Sequence, residues 1–256
     1  MEGGSTRRGF LAALAATSLA AVVGQLPVLP GSEPRQFVPH HRQRHTLSCE
    51  MAALRMVAGY YRRNVSEDDL LEMLPFHGEP PRLEGRTMIW GDPHEGFVGS
   101  VDGKQIYRQA LEEHPPGKKK AWQWGYGVYP KPIAEVATRL NLPAYLVDSL
   151  DDVYRHLARG NPVIAIVPSG GDTRATKWGW YTEQGDRITV IDREHAVVLE
   201  PRYNDDYVYV NDSALYAGDE VFKYRHDDLA RAFGVLSMAV AIGAPRWVMP
   251  PNAVQL

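Results

Sequence analysis

A single cysteine, Cys49, stands six residues after Gln43 and far upstream of a histidine, His195, and an aspartate, Asp212, that fall on neighbouring strand-like segments. A thiol, an imidazole and a carboxylate are the three groups that acyl transfer needs: a nucleophile, a base to take its proton, and an acid to orient the base. One cysteine cannot form an internal disulfide. The choice therefore narrows to an inert core thiol or a reactive one.

The surroundings of Cys49 bear on that choice. Ser48 is a good N-cap, Glu50 suits a first turn, and Cys49, Ala52, Ala53, Met56, Val57 and Tyr60 recur at helical spacing as one apolar stripe. Cys49 is thereby expected at the first position of a helix, where unpaired amides and the positive end of the macrodipole lower a thiol pKa from about 8.5. Glu50 opposes this, because a neighbouring carboxylate disfavours a thiolate, and an imidazolium partner is needed to offset it.

The second half of the chemistry belongs to two strands. His195 shares a face with Val197 and Leu199, and Asp212 shares one with Val208 and Val210. With residues 201–206 as the hairpin loop, Glu200 pairs with Tyr207 and His195 lies directly opposite Asp212, at a cross-strand Cβ separation of about 5 Å. A slip of two residues is expected to separate them. Neighbouring Asn211 is the alternative third member.

Around these residues the chain divides simply. Residues 1–24 read as a twin-arginine export signal: Arg7 and Arg8 precede an uncharged, alanine-rich run that is shorter than the roughly 20 residues of a spanning helix. Residues 25–36 are a Pro/Gly-rich linker, 37–246 the folded domain and 247–256 a tail. The predicted product is exported to the extracellular space or cell envelope, with the twin-arginine translocation machinery as its export partner and no stable membrane partner. A net charge of −3 gives no footprint for nucleic acid.

Helices are predicted from Cys49, from a Ser66–Asp69 capping box to about Leu74, from Pro132 to Leu140 and from Ser149 to Leu157. Beyond Pro162 the period changes to two: 163–167, 187–191, 195–200, 207–211 and 236–242 read as strands of an antiparallel sheet, with a brief helix at 227–233. Helices first and strands second indicate α+β. The stretch from Pro80 to Pro130, with Trp90, Gly91, Trp122, Trp124, Gly125 and Tyr126, shows little period and reads as an aromatic cover over the helices or a substrate-lining loop.

These residues together resemble the double-glycine leader peptidases and their exported relatives among the papain-like cysteine peptidases. Gln43 matches the glutamine that helps form the oxyanion hole, Cys49 with Ala52 and Ala53 the nucleophile and its helix, His195-Ala196-Val197-Val198 the base, and Asn211-Asp212 the orienting acid. The resemblance implies a papain-like fold, with N-terminal helices packed on a C-terminal antiparallel sheet. It also implies a cysteine peptidase acting on a peptide or protein substrate through a thioester acyl-enzyme, without cofactor or metal. Two positions depart from the family pattern: Glu50 stands where glycine is usual, and Ser213 where proline follows the aspartate.

Other readings use the same residues. His40, His41, His45 and Cys49 form a metal set only if a helix runs through the segment that Ser48 should cap. A non-catalytic exported binding domain would keep the fold without turnover. A cysteine acyltransferase, a cell-wall amidase or transglutaminase-like chemistry would use the same triad.

Overall fold

In the computed structural model, residues 34–106, 124–172, 174–215 and 222–245 are described. The twin-arginine segment, most of the linker, Trp122 and the 247–256 tail lie outside them.

The centre is a six-stranded antiparallel sheet in the order β13-β12-β11-β8-β14-β7. Its strands are β7 (Ala144–Val147), β8 (Val163–Pro168), β11 (Glu194–Tyr203), β12 (Tyr207–Asp212), β13 (Phe222–Arg225) and β14 (Met238–Ile242). Strict alternation sends each strand's side chains to two different cores. Ile164, Ile166, Ala196, Val198, Val240 and Ile242 join a large cluster with α1 (Cys49–Tyr60) and α3 (Pro130–Arg139). Val163, Ala165, Val167, Val197, Leu199, Val208 and Val210 join a second cluster under α4 (Leu150–Ala158) and α5 (His226–Phe233). The sheet is thus covered on both faces, which is why β8 is buried along its whole length.

Helix α1 is buried nearly all round and not along one stripe: Met51, Leu54 and Ala58 are as enclosed as Ala52 and Val57. A helix enclosed on all sides is a central core element. Ser48 does not cap it by side chain. Its hydroxyl donates to the Glu67 carboxylate and the His45 carbonyl. The capping box does form on α2 (Glu67–Glu72), where Ser66 Oγ accepts from the Asp69 amide and the Asp69 carboxylate accepts from the Ser66 amide.

The first half is less helical than its sequence indicates. The aperiodic Pro80–Pro130 stretch contributes to two small sheets, β1-β4-β6-β5 and β10-β9-β3-β2, built from β1 (Phe76–His77), β2 (Arg82–Glu84), β3 (Thr87–Ile89), β4 (Phe97–Gly99), β5 (Lys104–Gln105), β6 (Trp124–Gly127), β9 (Lys177–Tyr181) and β10 (Arg187–Ile191). Only β10 is indicated by its period, at 187–191, and it pairs with β9 in a small sheet and not in the main antiparallel sheet as expected; most of the others are too short to display a period. Their aromatic side chains are core: Trp90, Trp124 and Tyr126 are buried, and Trp180 contacts both Trp90 and Tyr126 at centroid distances of 5.2 and 5.3 Å.

Candidate active site

Cys49 opens α1, so its own amide is among the four that no helix carbonyl accepts. The approach to it is tied down by α2. The buried Glu67 carboxylate accepts from His41 Nε2 at 2.6 Å, from the Arg44 amide at 3.0 Å and from Ser48 Oγ at 2.5 Å. It is tied to the sheet as well. Gln43 donates its amide to the Ser213 carbonyl at 3.0 Å and accepts from Ser213 Oγ at 2.9 Å, while His40 Nε2 donates to the Asp212 carbonyl. Residues 40–48 are therefore held between α2 and the end of β12.

His195 and Asp212 are in contact, with Nε2 donating to Oδ1 at 2.6 Å. The register that brings them there is not the direct opposition expected. Asp212 stands opposite Val197, and Asn211 opposite Val198. Strand β11 runs on to Tyr203, the pairing shifts between Leu199 and Tyr203, and the turn shrinks to residues 204–206. An irregularity of this kind moves one strand along the other, and a two-residue move preserves the face. His195 and Asp212 then meet as diagonal neighbours, within reach of a long side chain, so the two-residue slip does not separate them, contrary to the expectation from spacing. Asp212 Oδ1 also accepts from the Ala214 amide. Burial pushes the Asp212 carboxyl up, but the His195 hydrogen bond and charge outweigh it and hold the group below its ordinary range.

Asn211 points elsewhere. It is buried, and its Nδ2 donates to Glu200 Oε1 and, at 3.4 Å, to the Val38 carbonyl.

The thiol meets the sheet where β12 stops. Since β12 ends opposite Val197, residues 194–196 of β11 pair only with β8, and the Ala196 amide is directed to the Cys49 sulfur. Alternation along β11 puts Glu194 and Ala196 on the face of α1 and His195 on the other, with Val197 and Leu199. Cys49 Sγ donates to Glu50 Oε2 at 3.3 Å, and Glu50 Oε1 accepts from the Val128 amide at 2.7 Å. Glu194 comes in beside them, fully enclosed, with neither carboxyl oxygen hydrogen-bonded. The sulfur and one oxygen from each carboxyl lie within 4.8 Å of one another.

This cluster changes the expected state of the thiol. Burial, then the charges of Glu50 and Glu194, push the Cys49 pKa well above its ordinary value, against which the Ala196 amide works alone among its hydrogen-bond donors. Burial likewise raises Glu50 to about 7, and burial with the charge of Glu50 raises Glu194 well above the carboxylate range. The sequence signalled Glu50 by its adjacency. Glu194, the first residue of its strand and flanked by Arg193 and His195, carried no local signal of a partner at Cys49.

The cluster makes a poor metal centre, because both Glu50 oxygens are already engaged by the Val128 amide and the thiol. The histidines upstream do not join it: His41 serves Glu67, His45 bonds Asp68 and Asp102, and His40 bonds the Asp212 carbonyl. Gln43 sits close to the thiol in sequence, yet its side-chain Nε2 donates to the His45 and Thr46 carbonyls, each at 2.9 Å.

A buried helix opened by a cysteine and packed on an antiparallel sheet that carries a bonded His–Asp pair defines a papain-like α+β protein. The model of the Peptidase C39-like family matches residues 35–234, and the chain belongs to that family. Among solved structures it is similar to a candidate C39-like peptidase from Bacillus anthracis, at a TM-score of 0.61 and 24% identity over 80% of this chain and 94% of that one. A double-glycine motif protease from an AMS/PCAT transporter, solved in complex with the leader peptide, matches at a TM-score of 0.39 and 14% identity, over 82% of this chain and 93% of that one. No curated protein matches the chain in sequence.

Proposed function

We propose that the chain is an exported cysteine peptidase or related amide-bond hydrolase that uses Cys49, His195 and Asp212 and passes through a thioester. The observation that carries this reading is the 2.6 Å His195–Asp212 bond, one residue from the Ala196 amide directed at the Cys49 sulfur. Asp212 engages Nε2, which leaves Nδ1 as the free ring nitrogen; His195 lies on the face of β11 away from Cys49 and no described hydrogen bond joins the two, so the ring has to turn round the end of the strand to take the thiol proton. The thiolate attacks the substrate carbonyl, His195 returns the proton to the leaving amine, and water releases the acyl group by the same steps in reverse order of roles. The Cys49 amide, free of an intrahelical partner, donates to the oxyanion. Gln43 joins it by exchanging one of its two carbonyl acceptors for the substrate oxygen. The family description points to a peptide bond as the target. Arg7 and Arg8 point to export by the twin-arginine route, which fractionation of the double-lysine variant would test.

One observation favours a second reading, a binding domain without turnover: the thiol is buried and held protonated. Labelling with an epoxysuccinyl probe, followed by mapping of the modified residue, separates the two. The peptidase reading expects Cys49 to be modified faster in native than in denatured protein, with the advantage lost in His195→Ala. Slow, equal labelling in both states overturns it in favour of the binding domain.

A further inference from the structure

We infer that the Glu50–Glu194 carboxyl pair is a proton-operated switch on the Cys49 nucleophile, holding it as a thiol while Glu50 is ionised and releasing it as a thiolate when Glu50 takes up a proton. The inference rests on Cys49 being the nucleophile, as proposed above.

The geometry comes first. Two carboxyls from different elements, Glu50 on α1 and Glu194 on β11, meet beside one sulfur in a site closed to solvent. The meeting point is built: Gly127 has φ +137°, and a Cβ there would lie 2.3 Å from Glu50 Oε1 and 3.1 Å from Glu194 Oε2. No described cation hydrogen-bonds to either carboxyl. Two such groups cannot both ionise in a low-dielectric site without a large penalty, so the pair retains at least one proton.

Glu50 is the member that touches the sulfur, and its protonation reverses the hydrogen bond between them. As a carboxylate it accepts from the S–H at 3.3 Å, which stabilises the thiol and repels negative charge on sulfur. As a carboxylic acid its O–H can donate to the sulfur instead, and a thiolate is then the stabilised form. The protons balance: one enters from solvent onto Glu50, and the proton leaving sulfur goes to Nδ1 of His195. The active form carries one proton more than the resting form and is favoured as pH falls.

The other titratable groups around the pair fit this assignment. His195, on β11 behind Ala196, is near enough for its charge to lower the Glu50 pKa. Tyr126 of β6 and Tyr129 at the start of α3 face Glu194 and bond each other at 2.9 Å. Burial raises both phenols, so they stay neutral. Asp212, behind His195, stays ionised. Glu50, whose oxygens accept from the Val128 amide and the thiol, is the member placed to ionise, its pKa raised to about 7 by burial, while Glu194, with no donor to either oxygen, keeps its proton, its pKa raised by burial and by the Glu50 charge.

The test is the alkylation rate of Cys49 by iodoacetamide from pH 4.5 to 9 in the full chain, read by mass spectrometry. The expected rate is highest on the acid side and falls through about pH 7, to roughly a tenth one unit above the midpoint, the opposite of a free thiol, whose rate climbs towards its pKa of about 8.5. Glu50→Gln removes the fall and leaves neutral-pH reactivity raised; Glu194→Gln keeps it. A wild-type rate that rises through pH 7 would make Glu50 a base or a bystander and overturns the switch, and it does so even if the variants fold poorly. A fall that survives in Glu50→Gln, or vanishes in Glu194→Gln, overturns the assignment as well. Failure of the nucleophile reading looks different: Cys49 then labels no faster in native than in denatured protein at any pH, and His195→Ala changes nothing.

Discussion

His195 reaches Asp212 diagonally, across a register in which Asp212 stands opposite Val197. The two-residue offset leaves residues 194–196 without β12 beside them, and that gap is where the sulfur of Cys49 finds the Ala196 amide. The same irregularity that displaces the pair from direct opposition also makes room for the Cys49 thiol.

Asp212 and Asn211 are adjacent but should fail in different ways. Asp212→Ala removes the partner of His195 Nε2 and is expected to lower kcat on the order of 10²–10⁴-fold with the fold retained. Asn211→Ala strips the hydrogen bond from buried Glu200 and should cost about 1–3 kcal/mol in urea unfolding, with kcat little changed in the folded fraction. A reversal, with rate lost at Asn211 and kept at Asp212, would assign the third role to the asparagine.

Stability should depend on pH through groups of opposite sign. Glu50 is raised from 4.5 to about 7 by burial, so its contribution is fully present below its unfolded pKa and is lost as pH rises through 7, an effect on the order of 3 kcal/mol. Asp212 is lowered, so its contribution is present above its unfolded pKa and is lost as pH falls through its folded value. Urea midpoints from pH 3 to 9 should therefore peak in the mildly acidic range. Glu50→Gln should make the alkaline limb shallower, the share due to Glu194 remaining, and leave the acid limb unchanged.

Gly127→Ala tests the space shared by the two carboxyls. A methyl group would enter at 2.3 Å from Glu50 Oε1, on a backbone with φ +137°. Both the clash and the left-handed backbone oppose it, and a loss on the order of 2–4 kcal/mol is expected from denaturant unfolding. The same variant should disturb the pH dependence of Cys49 alkylation in whatever fraction folds.

Glu67 holds the segment before Cys49 through His41, Arg44 and Ser48. Glu67→Ala leaves those donors without their acceptor, and loss of about 2–3 kcal/mol is expected together with faster amide exchange over residues 41–48. Glu67→Gln keeps an acceptor oxygen and should recover part of both. Unchanged exchange in Glu67→Ala would show that the ties to Ser213 and Asp212 suffice.

Much of this molecule could be read from local pattern. The helix opening at Cys49, the capping box at Ser66, the period-two strands around His195 and Asp212 and the α+β class all follow from spacing, because hydrophobic period and cap chemistry act within a few residues. That His195 and Asp212 share a face was also legible, since a two-residue error in register leaves the face unchanged. Of the small sheets only the strand at 187–191 was legible, and not its sheet, because most of the other strands are too short to carry a measurable period and pairing partners are set by tertiary packing. Nor was the all-round burial of α1, which depends on how many elements pack around it. Above all, the state of the thiol was decided by tertiary structure. A helix terminus alone would lower the pKa of Cys49, yet the fold brings Glu194 from a strand far along the chain to join Glu50 in a buried site, and burial with two nearby carboxyls raises it instead. Local sequence set the helical position of the Cys49 thiol, whereas its protonation depends on charges and solvent exclusion that only the packing of distant segments creates.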